Sequence, residues 1–200
     1  MSKTCSVENC NGKHYGLGYC NRHYNQFKRH GYILEKTRKD ANEIIEYEDY
    51  AEMVLYDKYG NEVARTLIDL ECVDVVKDYK WRLSTGYVFH SKLGLLHRFL
   101  MNPSDDTVVD HINRNPLDNR RENLRICTQH ENSFNQSIRS DNTSGTTGVS
   151  WRKEKNKWYA YIRVNGKKKH LGYFNTKEEA AEARRQAEIE YYGEFAPDRE

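Results

Sequence analysis

Cys5, Cys10, Cys20 and His23, in the spacing C-x4-C-x9-C-x2-H, constrain the start of this chain more than any other feature. The residues around them are too few and too polar to build an apolar core, so hydrophobic burial cannot be what folds this segment. A reducing compartment disfavours disulfides, whereas thiolates and one imidazole together supply the tetrahedral ligand set of Zn²⁺. Asn11-Gly12, Gly16 and Gly18 permit the tight turns that gather separated ligands. Cys20 and His23 have the spacing of a helix start, and the stretch from Asn21 to His30 is basic through Arg22, Lys28 and Arg29. The expectation is a small structural zinc finger over residues 1–39, its folding energy drawn largely from the metal. The competing reading is a tail with unpaired surface thiols. His14 and His30 fall outside the ligand pattern and read as residues of a basic face.

Net charge misleads here. The 32 Lys and Arg against 30 Asp and Glu leave only +2, which on its own argues mildly against a nucleic-acid binder. By segment the charge is +5 over 1–40, −8 over 41–75, +3 over 76–140, +6 over 141–176 and −4 over 177–200. Three basic blocks between acidic ones predict several small modules, each with a surface for a polyanion. No apolar run approaches the ~20 residues of a membrane span. The start Met1-Ser2-Lys3-Thr4-Cys5 lacks an apolar signal core, so the chain is expected in the cytoplasm.

Residues 40–94 read as a small α+β scaffold. Residues 40–48 suggest a linker or short helix. Met53 to Tyr56 and Glu62 to Leu67 suggest strands around a polar, Gly-containing turn, and Leu70 to Tyr79 has helical periodicity. Trp81 and Tyr87 to Phe89 predict a hairpin about Ser84-Thr85-Gly86, and Cys72 reads as a small buried apolar side chain.

Residues 95–140 carry the chemistry. A short helix from Leu95 to Met101 precedes a strand ending in Asp110-His111. A polar loop, a second strand around Leu124 to Ile126 and a helix from Thr128 to Gln136 follow, which together make a ββα unit. Leu96-His97-Arg98, Asp110-His111-Ile112-Asn113, Asp118-Asn119-Arg120-Arg121-Glu122-Asn123-Leu124-Arg125 and Glu131-Asn132 resemble the HNH endonuclease family, in the variant whose last His is Asn. Phosphodiester hydrolysis needs an activated water and a cation beside the leaving oxygen. His111 is the candidate general base, because neutral imidazole accepts a proton near pH 7. Asp110 and Asn132 would offer hard oxygen ligands to Mg²⁺ or Mn²⁺. The resemblance implies that Asn123 orients His111 through a hydrogen bond. Asn119 reads as a loop-shaping residue, Arg120 and Arg121 as DNA contacts, and His97 and Arg98 as helix packing with a backbone contact. One site implies one strand cut per molecule, a monomer that dimerises only if both strands are to be broken. Singly, each of these residues would pass for a turn or cap residue; the ordered set is what points to a nuclease.

Residues 141–200 predict a three-stranded antiparallel sheet packed on one helix. Asn165-Gly166 between alternating runs signals a hairpin, and Thr176 is a helix N-cap before Lys177 to Tyr191. Gly148-Val149-Ser150-Trp151, Lys157-Trp158, Ile162-Arg163, Leu171-Gly172-Tyr173-Phe174 and Glu178-Glu179-Ala180-Ala181 resemble the plant Apetala/ethylene-response-factor DNA-binding domain, which lays its sheet in the major groove. Strand alternation turns Trp158, Ala160 and Ile162 to the helix and Tyr159, Tyr161, Arg163, Lys168 and His170 outward, with Arg152 and Lys153 extending the basic face. Tyr161 and Ser150 depart from the plant pattern, so base specificity does not transfer.

The reading is a multidomain α+β chain: a zinc finger (1–39), a scaffold (40–94), an HNH ββα-metal nuclease unit (95–140) and a sheet-type DNA reader (141–200). It is similar to free-standing phage homing-type endonucleases, which implies duplex DNA as partner, no membrane, and action inside an infected bacterial host. The alternatives are a non-catalytic DNA-binding regulator with an inert HNH shell and a binder of structured RNA.

Overall fold

The computed structural model describes residues 4–8, 10–34, 41–136, 138 and 140–197, so the expected 39/40 boundary lies outside the described residues. The chain is a mixed α+β protein of small sheets and few helices. At the amino end, β1 (His14–Gly16) pairs with β2 (Tyr19–Cys20), and Cys20 caps α1 (Asn21–His30). Gly31 in the left-handed region stops that helix, and Lys28, Arg29 and His30 in its last turn suit the negative end of its dipole.

β3 (Ile44–Glu46), β4 (Ala51–Tyr56) and β5 (Glu62–Ile68) form an antiparallel meander. The expected linker or helix at 40–48 is therefore partly a strand. β-branched Ile44 and Ile45 pair with Met53 and Glu52, an outcome set by the availability of the β4 edge rather than by local pattern. The helix expected over Leu70 to Tyr79 is a 3-10 turn, Leu70–Cys72, followed by a single turn of α2 (Val73–Val76). Clustered valines lose side-chain freedom in a helix and favour the short form. Next come β6 (Arg82–Ser84), β7 (Tyr87–His90), β8 (Gly94–Leu95) and α3 (Leu96–Met101). The predicted hairpin is present, with Thr85 and Gly86 both at positive φ.

One core joins these pieces. Ala51, Met53, Leu55, Ile68, Cys72, Val76, Trp81 and Val88 pack with Leu96 and Leu100 of α3, and Leu117 lies against them. Trp81 is fully buried and donates its indole N–H to the Val76 carbonyl, while Asn42 bonds the backbone of both Val54 and Trp81. No break in packing falls at 94/95. β9 (Val108–His111) and β10 (Leu124–Cys127) then pair antiparallel, with His111 opposite Leu124 and Asp110 opposite Arg125. The loop between them is stitched to β5: the Leu67 N–H donates to Leu117 O (2.8 Å), the Asn119 N–H to Leu67 O (2.9 Å), and the Asn119 amide to Thr66 Oγ1 (2.8 Å). α4 (Gln129–Asn132) starts in a Thr128/Glu131 capping box. It ends four residues earlier than expected, giving way to a 3-10 turn over Ser133–Asn135, because Asn and Ser are weak helix formers.

β11 (Val149–Arg152), β12 (Lys157–Val164) and β13 (Lys167–Phe174) form the last sheet, covered on one face by α5 (Lys177–Tyr192). Asn165 and Gly166 both take positive φ, as a two-residue hairpin requires, and Thr176 with Glu179 forms a capping box. Ala180 packs on Ala160 and Val149, and Ala187 on Ile162, so small helix residues set the close approach of helix and sheet. Buried Arg184 pairs with Glu188 at 2.8 Å and donates to the Tyr161 carbonyl at 2.6 Å. Gly148 is obligatory beside it: its φ is +77°, and a Cβ there would lie 2.4 Å from that same carbonyl oxygen.

Candidate functional site

A groove of about 420 Å³ opens beside the β9 end, lined by Tyr87, His97, Asp110, His111, Asn132 and Asn135 among others. β9 delivers Asp110 and His111; α4 and the turn after it deliver Asn132 and Asn135. The sequence-predicted trio of Asp110, His111 and Asn132 is thus brought to one cavity.

His111 is buried, wedged between Tyr87 and His97, whose ring meets it edge-on at 4.9 Å and 80°. Burial pushes its pKa down; the Asn119 side chain and the charges of Asp110 and Asp118 oppose this without cancelling it. Its Nε2 and the Asn119 Oδ1 are both buried without an aligned hydrogen-bond partner. His97, first by burial and then by the neighbouring His111 and Arg98, is held down at about 4 and so stays neutral. The sequence assigned it to helix packing with a backbone contact, not to the chemistry. Arg98 donates to Thr107 O at 3.1 Å.

Asp110 is buried and firmly held. Its Oδ2 accepts from Arg125 Nε (2.9 Å) and Nη2 (2.7 Å), and Asn135 Nδ2 donates to both carboxylate oxygens at 3.1 and 3.0 Å. Oδ1 carries the lighter load, since Arg125 binds only its sister oxygen. Asn135 also donates to the His111 and Ile112 carbonyls, which fixes the backbone at the strand end. Neither Arg125 nor Asn135 was singled out from sequence. The one available signal was that antiparallel register sets Arg125 directly across from Asp110.

Asn123 does not orient the His111 ring as expected. Its Oδ1 accepts from the Asn113 N–H (2.9 Å) and its Nδ2 donates to the Asp118 carbonyl (2.8 Å), so it braces the loop. Asn119 holds the loop as read from sequence, its amide donating to Thr66 Oγ1 and Pro116 O, and its side chain also bears on His111. Arg120 forks onto Asp118 with two 2.8 Å contacts and also meets Glu122 at 2.6 Å, while Arg121 pairs with Glu71 at 2.9 Å. Both arginines are occupied by carboxylates of the protein itself.

At the amino end, the ligand atoms of Cys5, Cys10, Cys20 and His23 all lie within 4.8 Å of one another. His23 Nδ1 sits 3.2 Å from Cys5 Sγ and 3.6 Å from Cys20 Sγ, and Cys10 and Cys20 sulfurs are 3.9 Å apart. Zinc–sulfur bonds of ~2.3 Å in a tetrahedron place ligand atoms at about this separation. Burial would raise the Cys5 thiol, but hydrogen bonds from the Cys20 backbone, His23, Val7 and Cys10 bring it down to about 6. Gly12 closes the site: a Cβ there would come within 2.7 Å of Cys20 Cβ. These residues could hold a metal such as zinc.

On the last sheet, Tyr159, Tyr161, Arg163, Lys168, His170 and Tyr173 occupy the face away from α5, as the register requires. The rings form a ladder, with Tyr159 stacked on His170 at 5.1 Å and 17° and tilted against Tyr173 at 5.3 Å and 49°. Arg152 lies over the Tyr159 ring at 4.8 Å, and Lys168 over Tyr161 at 3.8 Å. Lys153 opens the exposed 3-10 turn after β11. Tyr173 belongs to this face but was missed, because a bulge between Ala160 and Tyr161 shifts the register it depends on.

The HNH endonuclease family model matches residues 102–134. An uncharacterized HNH endonuclease of Acanthamoeba polyphaga mimivirus is 36% identical over 139 residues, covering 64% of this chain and 71% of that protein. Protein 3.8 of Escherichia phage T7 is 42% identical over 59 residues, 30% of this chain and 49% of that protein, so the chain spans about half of it. No solved structure matches the chain. Among the described residues, no helix is long and apolar enough to cross a membrane.

Proposed function

The chain belongs to the HNH endonuclease family, and from that premise we propose that it is a metal-dependent DNA endonuclease that nicks one strand per engagement of the His111 site. The observation that carries this reading is the convergence of Asp110, His111 and Asn132 on one groove. His111, kept neutral by burial, takes the proton of the attacking water. Asp110 Oδ1 and the Asn132 amide oxygen would hold Mg²⁺ or Mn²⁺, and their hard oxygen donors fit such an ion. When bound, the ion supplies charge stabilisation at the leaving oxygen. Asn135 and Arg125 keep the carboxylate still, and Tyr87 and His97 keep the imidazole still. The test is relaxation of supercoiled plasmid. In Mg²⁺ the expected product is the open circle ahead of the linear form, and EDTA stops the reaction; DNA binding without any cleavage would favour the regulator reading instead.

The zinc finger and the aromatic–basic sheet serve this site as DNA contacts on either side of it. Two weak contacts on one chain raise the local concentration of DNA at the nuclease groove. The cations over the tyrosine ladder suit phosphates, and the rings suit sugars and base edges. Charge reversal of the sheet, Arg163→Glu with Lys168→Glu, is expected to weaken duplex binding at least about ten-fold and to flatten the slope of log K against log salt by roughly 2. Fluorescence anisotropy across a salt series measures both. Unchanged affinity and slope would remove the sheet from the interface.

A further inference from the structure

Arg125 does more than pair with Asp110. Its Nε and Nη2 hold Asp110 Oδ2, its Nη1 donates to the backbone carbonyl of Glu194, and its guanidinium lies 4.9 Å over the ring of Phe195. Glu194 and Phe195 form the 3-10 turn that follows α5, and so belong to the carboxy-terminal module. A second contact fixes the same junction: Phe134, one residue before Asn135, stacks on Tyr192 with centroids 3.7 Å apart and planes within 5°. The two groups that restrain Asp110, Arg125 and Asn135, are therefore each tied to the end of α5, one directly and one through its sequence neighbour.

We propose that Arg125 is a positioning residue for the metal-ligating carboxylate, and that residues 192–195 complete it from the carboxy-terminal module. The fork on Oδ2 leaves Oδ1, which accepts from Asn135 Nδ2 at 3.1 Å, as the carboxylate oxygen without an Arg125 contact, and the Phe195 ring with the Glu194 carbonyl restrains the guanidinium. A buried carboxylate without such a restraint samples several rotamers, and each one costs metal affinity and geometry. The sheet-bearing module thereby acts as a structural part of the nuclease centre as well as a DNA contact. This inference rests on the reading of Asp110 as a metal ligand.

The experiment uses the full chain, zinc-loaded, as wild type, Arg125→Lys, Phe195→Ala and Phe195→Tyr. Arg125→Lys keeps the charge and loses the fork. Three quantities are read: Mn²⁺ affinity by electron paramagnetic resonance of free ion, nicking turnover at saturating DNA, and duplex affinity. Arg125→Lys is expected to weaken Mn²⁺ binding about 10–100-fold, the range for loss of an outer partner of a metal ligand, with turnover falling alongside and duplex affinity unchanged. Phe195→Ala is expected to move the first two quantities the same way by a smaller factor, and Phe195→Tyr to restore them. Phe195 is only half-buried, so its variants keep the test open if Arg125→Lys does not fold. Wild-type Mn²⁺ affinity in both Arg125→Lys and Phe195→Ala overturns the inference alone. A wild-type chain that neither binds Mn²⁺ nor nicks DNA overturns the metal-dependent reading and the inference with it.

Discussion

Replacing His111 with alanine is expected to lower the nicking rate at saturating DNA by on the order of 10²–10⁴-fold, the usual contribution of a positioned general base. Duplex affinity should stay within about two-fold, because the ring is buried against Tyr87 and His97 and presents little surface to a ligand. The pH profile separates loss of a base from loss of structure. Burial holds the His111 pKa below its ordinary value, so the wild-type ring is already neutral at pH 7 and its rate should be level from there upward. In the variant only hydroxide can replace the base, so the residual rate should keep climbing with pH. Quenched plasmid-nicking time courses between pH 6 and 9 give both curves. A variant that nicks at the wild-type rate refutes the assignment of His111 as base.

The second large effect concerns the amino-terminal cluster. Residues 4–34 own few buried side chains besides Cys5, Cys20 and His23, so a zinc ion bound there, as proposed, would contribute most of what holds them, roughly 10–16 kcal/mol for a site of this kind. Cys20→Ser should be the most damaging single change there, since Cys20 is both a proposed ligand and the residue that starts α1. The expected result is loss of about one zinc per chain by mass spectrometry and collapse of amide dispersion for residues 4–34. Resonances from 41–136 should persist, because their core draws on none of the finger's residues. Turnover at saturating DNA should hold while duplex affinity falls. Full dispersion of residues 4–34 in the presence of a strong chelator would eliminate the zinc-finger reading.

What could be read from sequence divides by range. The Asn165-Gly166 turn, the Thr176 cap and the Cys20-x2-His23 pair are local geometries, and each is found where its residue types predict. Asp110 and His111 were legible because adjacent chemistry-bearing residues at a strand end are conspicuous. The partners that make them usable were not. Asn135 reaches Asp110 across 25 residues and Arg125 across 15, contacts that exist only once the β9–β10 register is fixed. The bracing of the loop by Asn123, and the bearing of Asn119 on His111, have the same origin. Both are amides in one polar loop, and only the stitching of that loop to Thr66 and Leu67 turns Asn119 inward. The strand at Ile44–Glu46 needed knowledge of an open edge on β4, which no local pattern carries.

That stitching has a bearing on how such chains can be recombined. The loop presenting His111 borrows its backbone partners from β5, and α3 shares its core with β4 and β5. A graft of the family-matching stretch by itself would arrive without the strand that shapes its loop. The smallest transplantable cassette instead begins at Asn42, whose amide fastens Trp81 to β4, and extends through Asn135. If the Arg125 junction acts as proposed, such a cassette would also have to be fitted with a new clasp in place of Glu194 and Phe195, so that exchanging the carboxy-terminal module and retaining the cutting activity become a single design problem.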